Sequence, residues 1–236
     1  MLTFHDVTKE FRLDAENTIT PVRNVSLQVE SGEFIVIIGR SGTGKTTLLN
    51  LAAGLVKPTA GQVLIDNEDL TKMTDRQVSS MRCRKIGFVF QFPSLLPALT
   101  ILDNVSLPAI FKNGNGNKVA NERASGLLDT LGLSARKNVY PRYLSAGETK
   151  RVVIARSLIN QPDLILADEP TSDLDNRTEK EVMAIFRDIN SSGVTFFVVT
   201  HNLGLVDFAT RAFEMQNGEL KEYTAKEDFS NSRNAL

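Results

Sequence analysis

A parallel α/β fold is the class that this 236-residue sequence predicts, on the basis of two kinds of segment. Short apolar runs indicate strands buried on both faces, as in parallel sheets, and they lie at 34–38, 164–167 and 196–199. Segments with helical spacing separate these runs, including 46–53 and 176–189. Because strands that alternate with helices are typical of parallel sheets, we expect a central sheet covered by helices.

Two further regions depart from this alternation. Residues 1–30 and 60–90 carry shorter alternating stretches, which predict a small antiparallel sheet beside the main one. Residues 92 to about 155 have helical spacing and contain an Asn/Gly loop at 113–117, which predicts a helical insertion. We therefore expect a single domain over 1–223, with the helical part inserted in it.

The overall composition argues against several classes of protein. The 27 Lys and Arg balance 28 Asp and Glu, so the net charge of -1 gives no global field that would attract nucleic acid. Cys83 is the single cysteine, which excludes an intrachain disulfide and fits a reducing, cytosolic compartment. We expect neither a secretory signal nor a membrane span, since the apolar runs fall far short of the roughly 20 residues that cross a bilayer. The polar tail at 224–236 lacks periodicity, and we expect it to be mobile.

A phosphate-binding loop is predicted between the first apolar run and the helix that follows it. The segment Gly39-Arg-Ser-Gly-Thr-Gly-Lys45-Thr46 matches the pattern G-x-x-x-x-G-K-[ST]. Its glycines let backbone N–H groups curl around phosphates, and the helix N-terminus adds positive potential. Lys45 is expected to reach the β- and γ-phosphates, and the Thr46 hydroxyl to ligate Mg²⁺. The expected nucleotide contacts of this loop are Gly39, Arg40, Ser41, Gly42, Thr43, Gly44, Lys45, Thr46 and Thr47.

A second part of the site is predicted where the strand at 164–167 ends in Asp168-Glu169-Pro170. Successive side chains of a strand point to opposite faces, so the two carboxylates are expected to have different roles. Asp168 suits the shell of Mg²⁺, through water, because Mg²⁺ tends to keep several of its waters. Glu169 would face the γ-phosphate, where it can orient and polarise the attacking water.

The segment Leu144-Ser-Ala-Gly-Glu148 narrows the class, since it opens a segment with helical spacing at 151–158. Here the sequence resembles the ABC ATPase family, whose signature is usually L-S-G-G-Q, and the resemblance covers about 1–222. It implies a P-loop NTPase fold with a RecA-like parallel sheet core, an N-terminal antiparallel β subdomain and a helical ABC-specific subdomain. It also implies that Ser145 and Gly147 touch the γ-phosphate of ATP held by a partner copy, at a helix N-terminus that favours anions.

The remaining motifs of the family also appear, in the order usual for it. Gln91, after a strand at 86–90, matches the Q-loop glutamine that senses Mg²⁺ and water and faces the membrane partner. Ser172-Asp-Leu-Asp175 matches the D-loop, which runs along the dimer interface. His201, after a strand at 195–200, matches the switch histidine that contacts the γ-phosphate.

The resemblance thus implies an ATPase with ATP and Mg²⁺ as cofactors. Phe11 lies where the family places an aromatic ring that stacks on adenine, with a core position as the alternative. The residues expected to promote hydrolysis are Glu169, His201 and Lys45. The residues expected to hold Mg²⁺ are Thr46, Gln91 and Asp168. The contacts to ATP outside the phosphate loop would come from Phe11, Gln91, Ser145, Gly147 and Asp168.

Two residues depart from the family signature. Ala146 replaces its first glycine and would be strained by roughly 1 kcal/mol if the position needs a positive φ, but not in a helical or extended conformation. Glu148 replaces its glutamine. A carboxylate is favoured in the first turn of a helix, yet it could also repel the γ-phosphate that approaches from the partner. We therefore predict weaker ATP-driven dimerisation than in a relative with the usual residues.

Longer passages point to one group within the family. The segments 85–92, 102–108 and 167–175 are similar to the lipoprotein-release, macrolide-export and cell-division ABC ATPases. This resemblance implies a homodimer beneath an integral membrane permease, cytoplasmic and peripheral on the inner face of the cell membrane. Two functions stay open: export or extraction of a lipoprotein, amphiphile or peptide, or a mechanotransmitting cycle that regulates an extracytoplasmic process, such as cell-wall remodelling in division, without transport.

Soluble ABC machines that act on chromosomes or ribosomes fit the sequence less well. Only 98 residues (46–143) separate Lys45 from Leu144, without heptads, which leaves no room for a long coiled coil. A single cassette also differs from the paired cassettes of ribosome-type members. A P-loop small-molecule kinase would have no use for a signature, a D-loop and a switch histidine together.

Overall fold

The computed structural model describes residues 1–14, 17–113 and 117–224, and this part contains ten strands and six α-helices. Most of the Asn/Gly loop expected at 113–117, and all but the first residue of the mobile tail expected at 224–236, lie outside the described residues. The strands are β1 Leu2–Arg12, β2 Thr18–Val29, β3 Phe34–Ile38, β4 Ala60–Ile65, β5 Glu68–Asp69, β6 Ile86–Val89, β7 Leu164–Asp168, β8 Thr195–Thr200, β9 Arg211–Gln216 and β10 Glu219–Glu222. The α-helices are α1 Lys45–Ala52, α2 Asp75–Lys85, α3 Ile101–Asn113, α4 Asn117–Thr130, α5 Ala146–Leu158 and α6 Asn176–Ser191.

The main sheet contains six strands in the order β10-β9-β3-β8-β7-β6. All neighbours pair in parallel except β9 and β10, which are antiparallel. The register aligns Ile38 with Thr200, and Asp168 with Val199. The carboxyl ends of β3, β8 and β7 therefore meet at one edge of the sheet, where ligands bind in open α/β folds.

The predicted strands of this sheet are confirmed, and their burial explains why they were visible as apolar runs. Along β3, Ile35 and Ile37 pack into a core shared with α1 and the second sheet. Phe34, Val36 and Ile38 pack into a second core on the other face, beneath α5 and α6. A strand covered on both faces needs apolar side chains at every position.

The second sheet is antiparallel, in the order β2-β1-β4-β5, as the alternating stretches predict. The prediction is wrong for the end of the 60–90 region. Residues 75–85 form α2, whose N-terminus is fixed by a capping box between Thr74 and Gln77. The following strand β6 joins the main sheet beside β7, with Ile86 opposite Leu164.

The expected helical insertion contains α3, α4 and α5, which share a buried core of their own. Its first helix begins at Ile101 rather than at 92, because Pro93 and Pro97 disfavour a helical conformation in the preceding residues. In the described ranges, no helix is long and apolar enough to cross a membrane.

Candidate active site

The loop between β3 and α1 is folded tightly by its glycines. Gly42 and Gly44 have positive φ angles of 80° and 107°, which residues with a side chain rarely adopt. A Cβ on Gly44 would also collide with the carbonyl oxygen of Pro21, which β2 brings against the loop. The helix α1 starts directly after Gly44, so its free N–H groups point into the loop.

Lys45 is buried inside this loop. Its ammonium group donates to the carbonyl oxygens of Gly39 at 2.7 Å and Arg40 at 3.0 Å. It also lies 4.0 Å from Oε1 of Glu169, across the loop. The predicted phosphate-binding cation and the predicted hydrolytic carboxylate therefore face each other as an ion pair.

Asp168 ends β7 on the opposite wall, and its Oδ1 accepts a hydrogen bond from Oγ1 of Thr46 at 3.3 Å. Burial raises the pKa of the Asp168 carboxyl above its ordinary value, the Thr46 hydrogen bond lowers it, and the charge of Glu169 raises it further. A partly buried carboxylate of this kind is stabilised by a nearby cation.

The oxygen atoms present suit Mg²⁺. Thr46 and Asp168 are in contact, and Gln91 lines the same cavity. Among the described residues, no cluster of three or more His, Cys, Asp and Glu side chains could hold a metal without help. Mg²⁺ fits this pattern, because it binds through one or two protein oxygens together with phosphates and water.

Glu169 directly follows the last residue of β7, and its carboxylate has hydrogen-bond partners that differ from those of Asp168. Its φ of 44° is uncommon for a residue with a side chain, and its N–H is held by the carbonyl of Val199 at 2.9 Å. Oε1 lies 2.9 Å from Nδ1 of His201. Oε2 accepts hydrogen bonds from the Thr200 hydroxyl at 2.8 Å and from the His201 N–H at 3.2 Å.

These groups surround one cavity of ≈570 Å³. Its lining comprises Pro21, Arg40, Ser41, Gly42, Gly44, Lys45, Thr46, Thr47, Gln91, Asp168, Glu169 and His201. All of these except Pro21 were expected from the sequence. Gly39 and Thr43 belong to the same loop without lining the cavity.

Three expected contacts lie elsewhere. Phe11, 36% exposed on β1, is outside the cavity lining, and the ammonium of Lys9 lies 4.9 Å from its ring centroid. At this exposed position the ring does not belong to the core, which was the alternative. Ser145 and Gly147 sit at the start of α5, away from the cavity of their own chain.

The signature segment forms a helix N-terminus that is free of strain. Ala146 is the first residue of α5 and has no positive φ, so its side chain costs nothing at this position. Ser145 and Glu148 form a capping box. The Ser145 N–H and the Arg136 guanidinium, 2.8 Å and 2.7 Å from the Glu148 carboxylate, lower the pKa of that group.

Three contacts were not anticipated from the sequence: Pro21 against the loop, Arg136 on Glu148 and Thr200 on Glu169. Thr200 had a usable signal, since it ends a buried parallel strand directly before His201. Pro21 and Arg136 lie far along the chain from the groups they touch, with no motif to mark them.

A strand–loop–helix with a buried lysine, opposite an acidic strand end, defines a P-loop nucleoside triphosphatase. Residues 22–172 match the sequence model of a protein family described as ABC transporter. The chain belongs to this family, and it is an ATP-binding ATPase of the ABC transporter type.

Three relatives show the level of similarity. An uncharacterized ABC transporter ATP-binding protein of Thermotoga maritima is 45% identical over 216 residues, 92% of each chain. The lipoprotein-releasing system ATP-binding protein LolD of Bacteroides thetaiotaomicron is 40% identical over 94% of this chain and 100% of the relative. The macrolide export ATP-binding/permease protein MacB of Rhodopirellula baltica is 39% identical, and the chain covers only 33% of its length.

Solved structures agree with this assignment. A dimeric, post-hydrolysis structure of the ATP-binding cassette MJ0796, bound to ADP and Pi, superposes with a TM-score of 0.88 at 39% identity. The likeness covers 95% of this chain and 98% of the other. It confirms the predicted fold class, and these relatives confirm the group that the longer passages indicated.

Proposed function

We propose that two copies of this chain close head to tail around two Mg²⁺·ATP and drive a conformational change in a membrane permease. The proposal rests on hydrolysis of ATP, and the observation that supports hydrolysis is the placement of Glu169. This residue is held by His201 and lies opposite the Lys45 loop. In this site Lys45 binds phosphate, while Glu169 orients and polarises the attacking water. His201 holds Glu169 and contacts the γ-phosphate.

Mg²⁺ would be held by Thr46 and Asp168, with Gln91 as a further oxygen ligand. When bound, the ion neutralises charge on the phosphates. The raised pKa of Asp168 supports this assignment, because a cation offsets the cost of ionising a partly buried carboxylate.

A second copy is needed because the signature does not reach the cavity of its own chain. Ser145 and Gly147 present the N-terminus of α5, which favours an anion, to the surface. The similar cassette MJ0796 is dimeric, which supports a dimer here. Each site would then combine the phosphate loop of one copy with the signature of the other, and Phe11 would stack on adenine.

The permease would dock where the loop after Gln91 meets the helical insertion. A groove of ≈460 Å³ lies between α2, β6, α3 and α5. Phe111 lines this groove at 77% exposure, and Phe92, between the lining residues Phe90 and Ser94 in the chain, is 71% exposed. Exposed apolar side chains that cluster in this way are typical of interaction sites. The docked chain would sit peripherally on the cytoplasmic face of the membrane.

The loop is also mechanically tied to the insertion. The guanidinium of Arg156 on α5 donates to the carbonyl oxygens of Pro93 at 2.7 Å and Ser94 at 2.8 Å. Movement of Gln91 on nucleotide binding would therefore be passed to α5 and to the docked permease.

Substitution of the two central site residues tests the hydrolytic part. Glu169→Gln is expected to bind ATP and to lower phosphate release by about a hundredfold or more. Lys45→Ala is expected to lose ATP affinity instead. Near-normal phosphate release by Glu169→Gln, or tight ATP binding by Lys45→Ala, would contradict the assignments.

Identification of the permease tests which substrate, if any, is exported. Affinity purification from membranes should recover a permease together with this chain. A permease that moves a lipoprotein, amphiphile or peptide supports export, which the LolD and MacB relatives favour. A permease joined to a cell-wall enzyme would instead support regulation without transport.

A further inference from the structure

The carboxylate of Glu169 accepts a hydrogen bond from a group that the sequence motifs do not include. Thr200 is the last residue of β8, the strand that lies between β3 and β7 in the sheet, and its exposure is 1%. Its hydroxyl lies 2.8 Å from Oε2 of Glu169. The neighbouring strand β8 thus holds the carboxylate of the residue that directly follows β7.

The direction of this hydrogen bond is fixed by a second one. The N–H of Asn202 donates to Oγ1 of Thr200 at 3.0 Å, which occupies a lone pair of the hydroxyl oxygen. A hydroxyl has a single proton, and an ionised carboxylate can only accept. The Thr200 proton is therefore directed at Glu169.

The turn that carries these donors is itself anchored to α6. The side chain of Asn202 donates to Oε2 of Glu179 at 2.8 Å and accepts from the N–H of Gly204 at 2.9 Å. A chain of hydrogen bonds therefore runs from Glu179, just after the D-loop, through Asn202 and Thr200 to Glu169.

We propose that Thr200 is a positioning residue for ATP hydrolysis, which acts by fixing the orientation of the Glu169 carboxylate. The inference rests on the role proposed above for Glu169. Two donors, the Thr200 hydroxyl and the His201 N–H, hold Oε2. Oε1 is then the oxygen that faces the cavity, 2.9 Å from His201 Nδ1 and 4.0 Å from Lys45 Nζ.

A fixed carboxylate matters because the attacking water needs a defined direction. Misplacement of a reacting group by about 1 Å can cost on the order of a hundredfold in rate. Without the Thr200 hydroxyl, Oε2 keeps one donor and the carboxylate can rotate away from the water. Thr200 does not line the cavity, so removal of its hydroxyl should lower the rate of hydrolysis and leave the ATP affinity unchanged.

The test compares three variants by ATPase kinetics on the full chain. Thr200→Val keeps the branched shape and removes the hydroxyl. Thr200→Ser keeps the hydroxyl. Thr195→Val is the matched control, since Thr195 lies on the same strand, is equally buried and accepts from the Gly32 N–H at 3.0 Å, far from the site.

We expect Thr200→Val to lower kcat by about tenfold to a hundredfold, with KM and ATP affinity within about twofold. Thr200→Ser should keep more than half of the activity, and Thr195→Val should match the unsubstituted chain. The inference is overturned if Thr200→Val hydrolyses ATP as fast as Thr195→Val, or if Thr200→Ser is as slow as Thr200→Val.

A parallel measurement separates this inference from the proposed function. If Glu169→Gln keeps near-normal turnover, the role of Glu169 is wrong, and the inference falls with it. If Glu169→Gln is inactive while Thr200→Val is fully active, Glu169 keeps its role and only the inference about Thr200 is overturned.

Discussion

At the scale of single residues, Asp168 links the chemistry of the site to the stability of the fold. Its carboxyl has a raised pKa because it is partly buried, so the unfolded chain releases this proton at lower pH than the folded chain does. Ionisation of Asp168 therefore lowers the free energy of unfolding as the pH rises above the ordinary value of 3.8 and through the folded-state pKa.

We predict that Asp168→Asn raises the melting temperature of the nucleotide-free protein at about neutral pH, because it removes this buried charge. The gain should shrink as the buffer approaches about pH 4, and it should be accompanied by loss of Mg²⁺-dependent ATP binding. Thermal unfolding across this pH range measures it, with Asp188→Asn on the exposed face of α6 as control. An unchanged or lower melting temperature would contradict the account.

Arg136 and Glu148 form the second residue-scale feature. Weaker ATP-driven dimerisation was expected for two reasons, strain at Ala146 and the charge of Glu148. The first reason does not apply, since Ala146 is helical and unstrained. The second reason is the charge of Glu148, which the Arg136 guanidinium offsets from 2.7 Å.

We predict that Arg136→Ala weakens ATP-driven dimerisation, because it leaves the carboxylate uncompensated near the partner's γ-phosphate. The double variant Arg136→Ala with Glu148→Gln should restore dimerisation at least to the original level. Sedimentation at increasing ATP concentrations measures both. Equal dimerisation of Arg136→Ala and the unsubstituted chain would refute the charge argument.

At the scale of elements, the signature helix α5 is packed directly on α6, the helix that follows the D-loop. A methyl group at Gly147 would lie 2.7 Å from Cγ2 of Thr178. The glycine therefore permits close contact between α5, which begins at the signature, and α6, which follows the D-loop. A salt bridge between Arg151 and Glu181, at 3.6 Å, joins the same two helices.

We predict that Gly147→Ala lowers the free energy of unfolding by about 1–3 kcal/mol through overpacking, and that it also impairs ATP-driven dimerisation. Gly126→Ala on α4 is the matched control, since its methyl group would meet no atom within 4 Å. The control should raise stability by roughly 0.5–1 kcal/mol, as expected for alanine in a helix. Denaturant unfolding measures both, and equal stability of the two variants would contradict the packing argument.

Elements also show how far the sequence could predict this structure. The bounds of β3 and β8 followed from unbroken apolar runs, since both faces of each strand are buried. α2 was mistaken for part of a sheet because only Val78 and Met81 on it are buried, which leaves little helical periodicity. Its capping box was nevertheless readable at Thr74 and Gln77.

The residues of the site also differ in how well the sequence predicts them. Linear motifs predicted the cavity-lining residues well, because phosphate binding needs particular residues at fixed spacing within one loop. The donors that orient those residues come from other parts of the chain, such as Thr200 on Glu169 and Arg136 on Glu148. Such pairs depend on strand order and helix packing, which a single sequence does not display.

At the scale of the whole molecule, we propose that the site of one chain is only half of a working unit. The Lys45 loop, Asp168 and Glu169 surround the cavity, whereas Ser145 is exposed at the start of α5 and, like Gly147, does not line it. We therefore expect ATP to join two copies, with each signature closing the site of the other.

The most direct test is sedimentation of Glu169→Gln with and without Mg²⁺·ATP. We expect a monomer without nucleotide, and a stable dimer with one ATP per chain when Mg²⁺·ATP is present. Adding Ser145→Arg to this variant should abolish the dimer while each chain still binds ATP, because the signature then blocks the partner's site. A monomer at saturating ATP, or a dimer that survives Ser145→Arg, would contradict the composite site.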